Sequence, residues 1–568
     1  MFKKEVIKLL AKPTGLPEGE LDSLIEIPPD SKMGDFAFPC FVLAKSMKKA
    51  PNAIAEELAK KIKPKTPISE VKAIGPYLNF FVDKNKMAEN VIKDIIKCDV
   101  CYGSLAPKKK KVMVEYPAPN TNKPLHLGHV RNMLLGSSIC NILGFAGYEV
   151  IPANLVNDRG IHICKSMLAY QKWGNNKAPD KKSDHFVGEY YVLYSKKLGE
   201  HPELEEEAKE MLRKWEAGDK EVLALWRKMN KWALDGYKQT YALFDVHHKK
   251  TYYESETYKH GKEIILEGLK KGLFYKDEEG AIVANLEKDK LGKKVMLRAD
   301  GTSVYITQDL YLAKIKFDDF KMDKSVYIVA NEQIYHFKVL FKVLDMLGFA
   351  YAKNCYHLAY GMIYLPDGRM KSREGKVVEA DDLVEEMKGV AEAEIKKRHK
   401  DLDKKEVDKR KEIIGMGALK FFVLKFDPMK DFVYNPEESI SFEGETGPYV
   451  QYAHARICSI LRKEANESKF NPEKIKKFEF NNEKEFRLIK LMANFSNAVN
   501  DAAENYKPSL MARYVLDLAQ AFNEFYHECP VLKAEGKEKE SRLALIYSVK
   551  TVLRNALDLL GIKSPEEM

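Results

Sequence analysis

Val112-Met113-Val114-Glu115-Tyr116 is a short apolar strand, and the stretch it opens decides the fold. A Pro- and Asn-rich loop, Pro117 to Leu125, leads from it into His126-Leu127-Gly128-His129. Val130 to Phe145 then carries apolar residues at helical period, with Gly144 and Gly147 bracketing the helix end. Tyr148 to Ala153 reads as a second strand. Strand, helix and strand in so short a span make a βαβ unit, whose crossover sets the two strands parallel. In open parallel sheets, ligands lie outside the carboxyl ends of the strands. The loop with two histidines occupies such an end.

Working outward, residues 300–365 repeat the style. They predict strand Ser303–Thr307, helix Leu310–Ile315, strand Ser325–Ala330, helix His336–Leu347 and strand Leu358–Tyr364. Between the halves, about 170–300 is Lys-rich, with helical patches near 205–245 and a hairpin near 276–300. It reads as an insertion into the sheet. Ahead of the first strand, Ile54, Leu58 and Ile62 recur at helical spacing, and Lys72–Val82 (KAIGPYLNFFV) reads as strand, turn, strand. Beyond the charged segment Lys397–Lys411 the helical period dominates, as in Leu488, Leu491, Phe495 and Val499. The expected fold is multidomain α/β. An α+β N-terminal domain spans 1–106, and a Rossmann-like parallel-sheet catalytic domain spans 107–396 with its insertion at about 170–300. An all-α domain follows over 397–568. A chain of 568 residues is too long for one core, which agrees.

Composition narrows the class. The chain is 45% apolar and 31% charged, as a folded and well-solvated protein is. A net charge of +10 permits a polyanionic partner without demanding one. No stretch has the apolar run of a signal peptide or a membrane span, so a soluble, cytoplasmic chain without a membrane partner is expected. Of eight cysteines only Cys98 and Cys101 form a CxxC pair, with no second pair or histidine set to complete a zinc site. No metal site is expected.

Neither a GxxxxGK[ST] loop nor a GxGxxG turn is present. In their place stand the two histidines, three apart at a helix N-terminus. Imidazoles there can donate hydrogen bonds to phosphate oxygens as charge builds on an α-phosphorus. Gly128 leaves room for a purine ring against the backbone. HxGH alone is a weak signal. Further along, Gly368-Arg369-Met370-Lys371-Ser372-Arg373-Glu374-Gly375-Lys376 is a Gly-flanked basic loop with donors enough to close over a triphosphate. The two motifs together, in that order across a split βαβ sheet, point to ATP.

With these motifs stand Glu115–Pro124 (EYPAPNTNKP), Tyr305–Asp309 (YITQD), Gly447–Arg456 (GPYVQYAHAR) and a C-terminal methionine. On all of them the chain resembles the arginyl-tRNA synthetases over essentially its whole length. Residues 126–129 match that family's HIGH signature, and 370–375 its degenerate KMSKS loop. The resemblance implies that L-arginine and ATP give arginyl-adenylate, in a step that waits for tRNA, and that the arginyl group passes to the 3′ end of tRNA(Arg). ATP is then a substrate, Mg2+ accompanies it with no protein ligand assigned, and the chain is a monomer. Two other functions fit the sequence less well. A small-molecule adenylyl transferase of the HIGH class would not need the helical domain behind the sheet. A non-catalytic tRNA-binding paralogue typically loses the histidines or the acidic pocket, and both are present.

The resemblance also implies residue roles. His126, His129 and Lys123 carry catalysis; Leu127, Gly128, Met370, Lys371, Ser372 and Arg373 bind ATP. Ser372 stands where other class I loops carry a catalytic lysine, and Lys123, just ahead of HIGH, substitutes. Gln308 departs from the arginine common in the family. Asp309, Tyr305 and Glu115 face the guanidinium, because a planar fork of five donors needs carboxylates and acceptors. Asn120 and Gln333 suit the amino and carboxylate groups. Asp309 could instead cap a helix before Leu310, or do both. Asn157-Asp158-Arg159-Gly160 supports the site. For RNA, Tyr449, Tyr452 and Arg456 share one helix face that could stack on anticodon bases, or else bury two tyrosines in a core. Tyr526 and Met568 are weaker candidates for that site. Asn79, near Tyr77 and Phe81, is either a reader of the tRNA elbow or a buried strand end.

Overall fold

The computed structural model describes residues 2–30, 33–364, 378–399, 401–467, 470–475 and 477–568. The chain divides into two compact units, the larger built from 103–456, 495–519 and 553–568. The smaller is built from 1–102, 457–494 and 520–552.

At the heart of the larger unit is a five-stranded sheet. From one edge its strands are Cys355–Tyr360, Lys324–Ala330, Lys111–Glu115, Glu149–Val156 and Lys250–Tyr253. Every neighbouring pair is parallel. The chain starts in the middle strand, winds to one edge, then returns to build the other half. The order therefore reverses between Lys111–Glu115 and Lys324–Ala330, and a crevice opens at the carboxyl ends there. Helices cover both faces, so the strand interiors read as continuous apolar runs, with Met113, Val114, Ile151, Val326 and Ile328 all buried. Lys250–Tyr253 joins this sheet from within the stretch read as an insertion. Around it lie the insertion helices Ile161–Trp173, Ser183–Leu198, Leu204–Ala217 and Lys220–Phe244. The hairpin expected near 276–300 is a three-stranded antiparallel sheet with Ile282–Asn285 in the middle.

Two expected strands differ. Ser303–Thr307 is not a strand: the helix Tyr305–Phe320 begins inside it. Tyr305-Ile306-Thr307 looks strand-like in isolation, but Ile306, Leu310, Ala313 and Phe317 are all buried at helical spacing. Thr307 Oγ1 also accepts from Val304 N at 3.1 Å, closing the first turn. Asp309 therefore lies in the second turn of a helix, neither at a strand end nor at an N-cap. The last expected strand, Leu358–Tyr364, is broken into Cys355–Tyr360 and Ile363–Tyr364. The short second piece pairs with Phe432–Val433 outside the main sheet.

The smaller unit carries a three-stranded antiparallel sheet, with Tyr77–Val82 between Phe36–Pro39 and Ile68–Ile74. The expected hairpin turns at Gly75, whose φ of +59° suits glycine. Ile54, Leu58 and Ile62 are buried, as their spacing requires. Later segments complete the unit: Tyr102 Oη donates to Met492 O at 3.0 Å, and Lys490 pairs with Asp35 at 2.6 Å. Among the described residues no helix is long and apolar enough to cross a membrane.

Candidate active site

The histidine motif opens the helix Leu127–Phe145 on the carboxyl side of the middle strand. His126 is the N-cap. Its Nδ1 accepts from Gly128 N at 3.1 Å, and His129 Nδ1 accepts from His126 N at 3.2 Å. The rings lie 4.0 Å apart between centroids. This reciprocal cap settles two helix-end donors and also assigns the protons. A ring whose Nδ1 accepts must carry its hydrogen on Nε2, so both Nε2–H groups are left as donors. Burial, aided by the charge of Lys123, pushes His126 down to about 3. Burial, with His126 and Lys123 beside it, holds His129 well below the ordinary histidine range. Both imidazoles are therefore neutral donors at physiological pH. Gly128 suits this geometry, because a Cβ there would sit 3.0 Å from His126 Cε1 and would crowd the ring.

The preceding loop is held from several sides. Tyr237, buried on an insertion helix, points its hydroxyl at Asn120 O (2.6 Å) and Lys123 O (2.7 Å). Asn157 N donates to Pro119 O at 2.9 Å, and Asn157 Nδ2 to Ala118 O at 3.1 Å. Lys123, Pro124 and His126 line a cavity of about 670 Å³ together with Trp173, His185 and Glu379. Behind the motif Arg131 is fully buried, and its guanidinium donates to Gly361 O, Met362 O, Pro428 O and Lys430 O at 2.6–3.2 Å. It fastens the histidine helix to the strand that leads towards residue 365. Met370, Lys371, Ser372 and Arg373 lie outside the described residues.

Carboxylates gather on the same sheet edge. Glu115, at the end of the middle strand, is buried and ion-paired with Lys316, which is itself fully buried and lies 4.5 Å from the Tyr327 ring centre. Asp309 Oδ2 lies 2.6 Å from His336 Nε2. Glu254 was not anticipated from the sequence. Burial pushes its carboxyl up to about 7, Arg159 at 3.8 Å pulls it down, and the charges of Asp158 and Asp309 push it up again. Glu254 thus feels the charge of Asp309 across the site, while each keeps a basic neighbour, Arg159 and His336. Asp158 accepts from Ser255 N (2.9 Å) and Ser255 Oγ (2.7 Å), and Arg159 packs 3.8 Å over the Tyr258 ring. Tyr305 is 80% exposed, and Gln333 and Asn120 are exposed too. These three stand open around the crevice rather than locked into it.

Nothing in the sequence pattern singled out His336, Lys316, Glu254, Tyr237 or His185. Each meets its partner across a long loop, and only the pairing gives it meaning. Asp184, His185 and Asp381 each bring a ligand atom within 4.8 Å of the others. Lys182 Nζ already sits 2.6 Å from Asp381, where a cation would go, so the cluster is an ion-pair network rather than a metal centre.

Of the RNA candidates, Tyr449, Tyr452 and Arg456 do share one side of the helix Gly447–Glu467. The Arg456 guanidinium lies 4.7 Å over the Tyr452 ring, and Tyr452 is exposed. Gln451 and His454 point inward, to Lys563 O and Pro565 O at 2.8 Å. Met568 is half-buried in the same unit; Tyr526, partly exposed on the helix Pro508–Glu528, belongs to the smaller one. Asn79 is buried in its strand, its amide 3.5 Å from Tyr77 O. Beside it Phe41 stands exposed, edge-on to Tyr77 at 5.9 Å.

Family models match along the chain: the catalytic domain of class I (R) tRNA synthetases over residues 91–436, the DALR anticodon binding domain over 450–568, and the arginyl tRNA synthetase N-terminal domain over 1–82. The chain is 46% identical over 560 residues to an arginine–tRNA ligase of Treponema denticola, covering 96% of this chain and 94% of that one. It is 45% identical to the enzyme of that name from Parabacteroides distasonis, with 94% of each covered. Among solved structures, the arginyl-tRNA synthetase of Thermus thermophilus superposes with a TM-score of 0.83 at 27% identity over the whole of both chains.

Proposed function

We propose, from the premise that this chain belongs to the class I arginyl-tRNA synthetases, a division of labour among its residues. The reaction itself is arginine–tRNA ligation. L-Arginine attacks the α-phosphorus of ATP through its carboxylate and expels pyrophosphate; the arginyl group then passes to the 3′ end of tRNA(Arg), and AMP leaves.

The observation that carries the assignment is the paired N-cap. His126 and His129 are neutral, their acceptor nitrogens are used up by the backbone, and their Nε2–H groups are fixed at a helix N-terminus. Neutral donors bind the ground-state triphosphate weakly and gain most as charge develops in the transition state. Leu127 and Gly128 form the floor under the purine. Lys123, which lines the same cavity as His126, neutralises the departing pyrophosphate, and Met370, Lys371, Ser372 and Arg373 bind the ATP. Asp309 holds the guanidinium with Tyr305, Glu254 adds a further charge, and Asn120 and Gln333 bind the amino-acid head. Glu115 completes the guanidinium pocket by sharing its carboxylate between Lys316 and the substrate. Mg2+ enters as the chelate of the ATP phosphates. The acid cluster Asp184 and Asp381 is taken by His185 and Lys182, which leaves neither carboxylate for the ion. Tyr449, Tyr452 and Arg456 grip anticodon bases, aided by Tyr526 and Met568, while the Asn79 region meets the tRNA elbow. The domains that serve these roles are 1–106, 107–396 and 397–568, in a cytoplasmic monomer.

Adenylate formation waits for tRNA in this reading. Pyrophosphate exchange with ATP and arginine alone should stay near background and appear on adding tRNA. Exchange that is robust without RNA removes that step. In the tRNA-supported assay, Lys123→Ala should lower turnover tenfold or more at nearly constant arginine KM, because the leaving-group charge exists only in the transition state. A rise in KM at unchanged turnover assigns Lys123 to binding instead.

Glu254 gives a pH signature. Its carboxyl, raised to about 7, is largely ionised at pH 8 and largely protonated at pH 6, so acid removes one negative charge facing the guanidinium. Arginine KM should rise roughly five- to tenfold over that range, as expected for one lost charge-assisted partner. Glu254→Gln should show the high value throughout and no slope. An unchanged slope in that variant places the titrating group elsewhere.

A further inference from the structure

The insertion helix Ser183–Leu198, which also lines the cavity, presses against the histidine loop. A Cβ on Gly188 would lie 2.5 Å from Pro124 Cδ, so only glycine permits the approach. One turn earlier, His185 reaches to the chain on the other side of HIGH. Its Nδ1 lies 2.7 Å from Glu379 Oε2 and its Nε2 2.7 Å from Asp381 Oδ2. An imidazole that meets a carboxylate on each nitrogen satisfies both only as the doubly protonated cation. The two acids hold it so, raising it to about 10 against the cost of burial. Lys182 completes the cluster, 2.6 Å from Asp381, 2.5 Å from Thr240 Oγ1 and 3.3 Å from the buried Asp184.

What these acids are attached to matters more than their charge. Leu127 N donates to Val378 O at 3.0 Å, and Ala380 N donates to Leu125 O at 2.9 Å. Those two bonds bracket His126 and pair it with Glu379. The residue that His185 grips is therefore the backbone partner of the N-cap histidine. Shifting it moves His126, and through the reciprocal cap moves His129.

We propose that His185 is a positioning residue for the activation step: by gripping Glu379 and Asp381 it fixes the segment 378–381 that brackets His126, and so aims both histidine donors from the insertion. This rests on His126 and His129 being the phosphate donors. A small displacement is enough to matter, because a reacting group misplaced by about 1 Å can cost ~10²-fold in rate. The charged groups that face His185 are Lys182, Asp184, Glu379 and Asp381.

The test measures tRNA-supported pyrophosphate exchange and melting temperature for His185→Ala, His185→Lys, Glu379→Gln and, as a control, His126→Ala. His185→Ala should lower turnover about 10- to 100-fold with arginine KM within about twofold of wild type. His185→Lys, which restores a cation, should recover much of that loss. Glu379→Gln should lose turnover several-fold by itself while melting close to wild type, which separates aim from stability. If His185→Ala keeps turnover within about threefold, if His185→Lys is no better than alanine, or if Glu379→Gln is fully active, the positioning role is wrong. Should that happen while His126→Ala is inactive, the histidine reading stands and only this proposal falls. An active His126→Ala removes both.

Discussion

Replacing His126 or His129 with alanine is expected to slow arginine activation by ~10²–10³-fold, the cost of about 2.7–4 kcal/mol for one transition-state donor. tRNA affinity should barely change, since the RNA-binding candidates lie on other elements. Alanine also removes a helix cap, worth roughly 1 kcal/mol, so stability must be separated from chemistry. His126→Asn makes the separation. Its side-chain oxygen can accept from the same backbone N–H, but it has no donor where Nε2 was. A stable His126→Asn that is as slow as His126→Ala locates the effect in the donor; one that turns over within threefold of wild type leaves the histidines as caps and nothing more. The pH dependence points the same way. With His126 near 3 in the folded chain, no loss of turnover between pH 8 and 6 comes from these rings. Below that, the unfolded chain binds protons that the folded histidines refuse, so stability at this end falls as pH drops from the ordinary histidine range towards 3.

The second large effect is expected in the sheet. Lys316→Met strands the Glu115 carboxylate in a buried site, and breaking such a pair from one side costs about 3–5 kcal/mol. The first unfolding transition in urea should move accordingly. Replacing both partners, Glu115→Gln with Lys316→Met, removes the stranded charge and should recover most of that loss. The recovered variant then answers a functional question. If Glu115 also serves the guanidinium, arginine KM should rise ten- to a hundredfold although the protein is stable. A KM within threefold of wild type leaves Glu115 as the counter-ion of Lys316, with Asp309 and Glu254 carrying selection. A double variant as unstable as Lys316→Met would show that the pair is not what holds this strand end.

Much of this was legible from local pattern. The βαβ unit around HIGH announces itself because one strand, one loop and one helix lie consecutively, and the period switches from 2 to 3.6 within them. The hairpin around Gly75 and the strand Lys324–Ala330 are equally local. The misread segment, Ser303–Thr307, failed for the opposite reason. Its strand-like residues fill less than two turns, and the helical stripe becomes visible only when Leu310, Ala313 and Phe317 are counted. Long-range chemistry was not legible at all. His336 lies 27 residues from Asp309, and His185 lies 196 from Asp381. No periodicity links such partners, and a lone histidine on a helix carries no hint of the acids it will meet. Family text supplied Asp309 and Glu115; it could not supply Lys316, which turns one of them into half of an ion pair.

The smaller unit has a consequence for how the protein is made. Its sheet is encoded in the first 102 residues, yet its remaining parts are 457–494 and 520–552. A ribosome adding ~5–20 residues per second needs roughly 20–80 s to travel from the end of the first part to Lys490 in the second. For that interval the surfaces around Tyr102 and Asp35 wait without Met492 and Lys490, their later partners. A nascent chain stalled before residue 457 should therefore be open to protease in its N-terminal part and become resistant only once the final helices emerge.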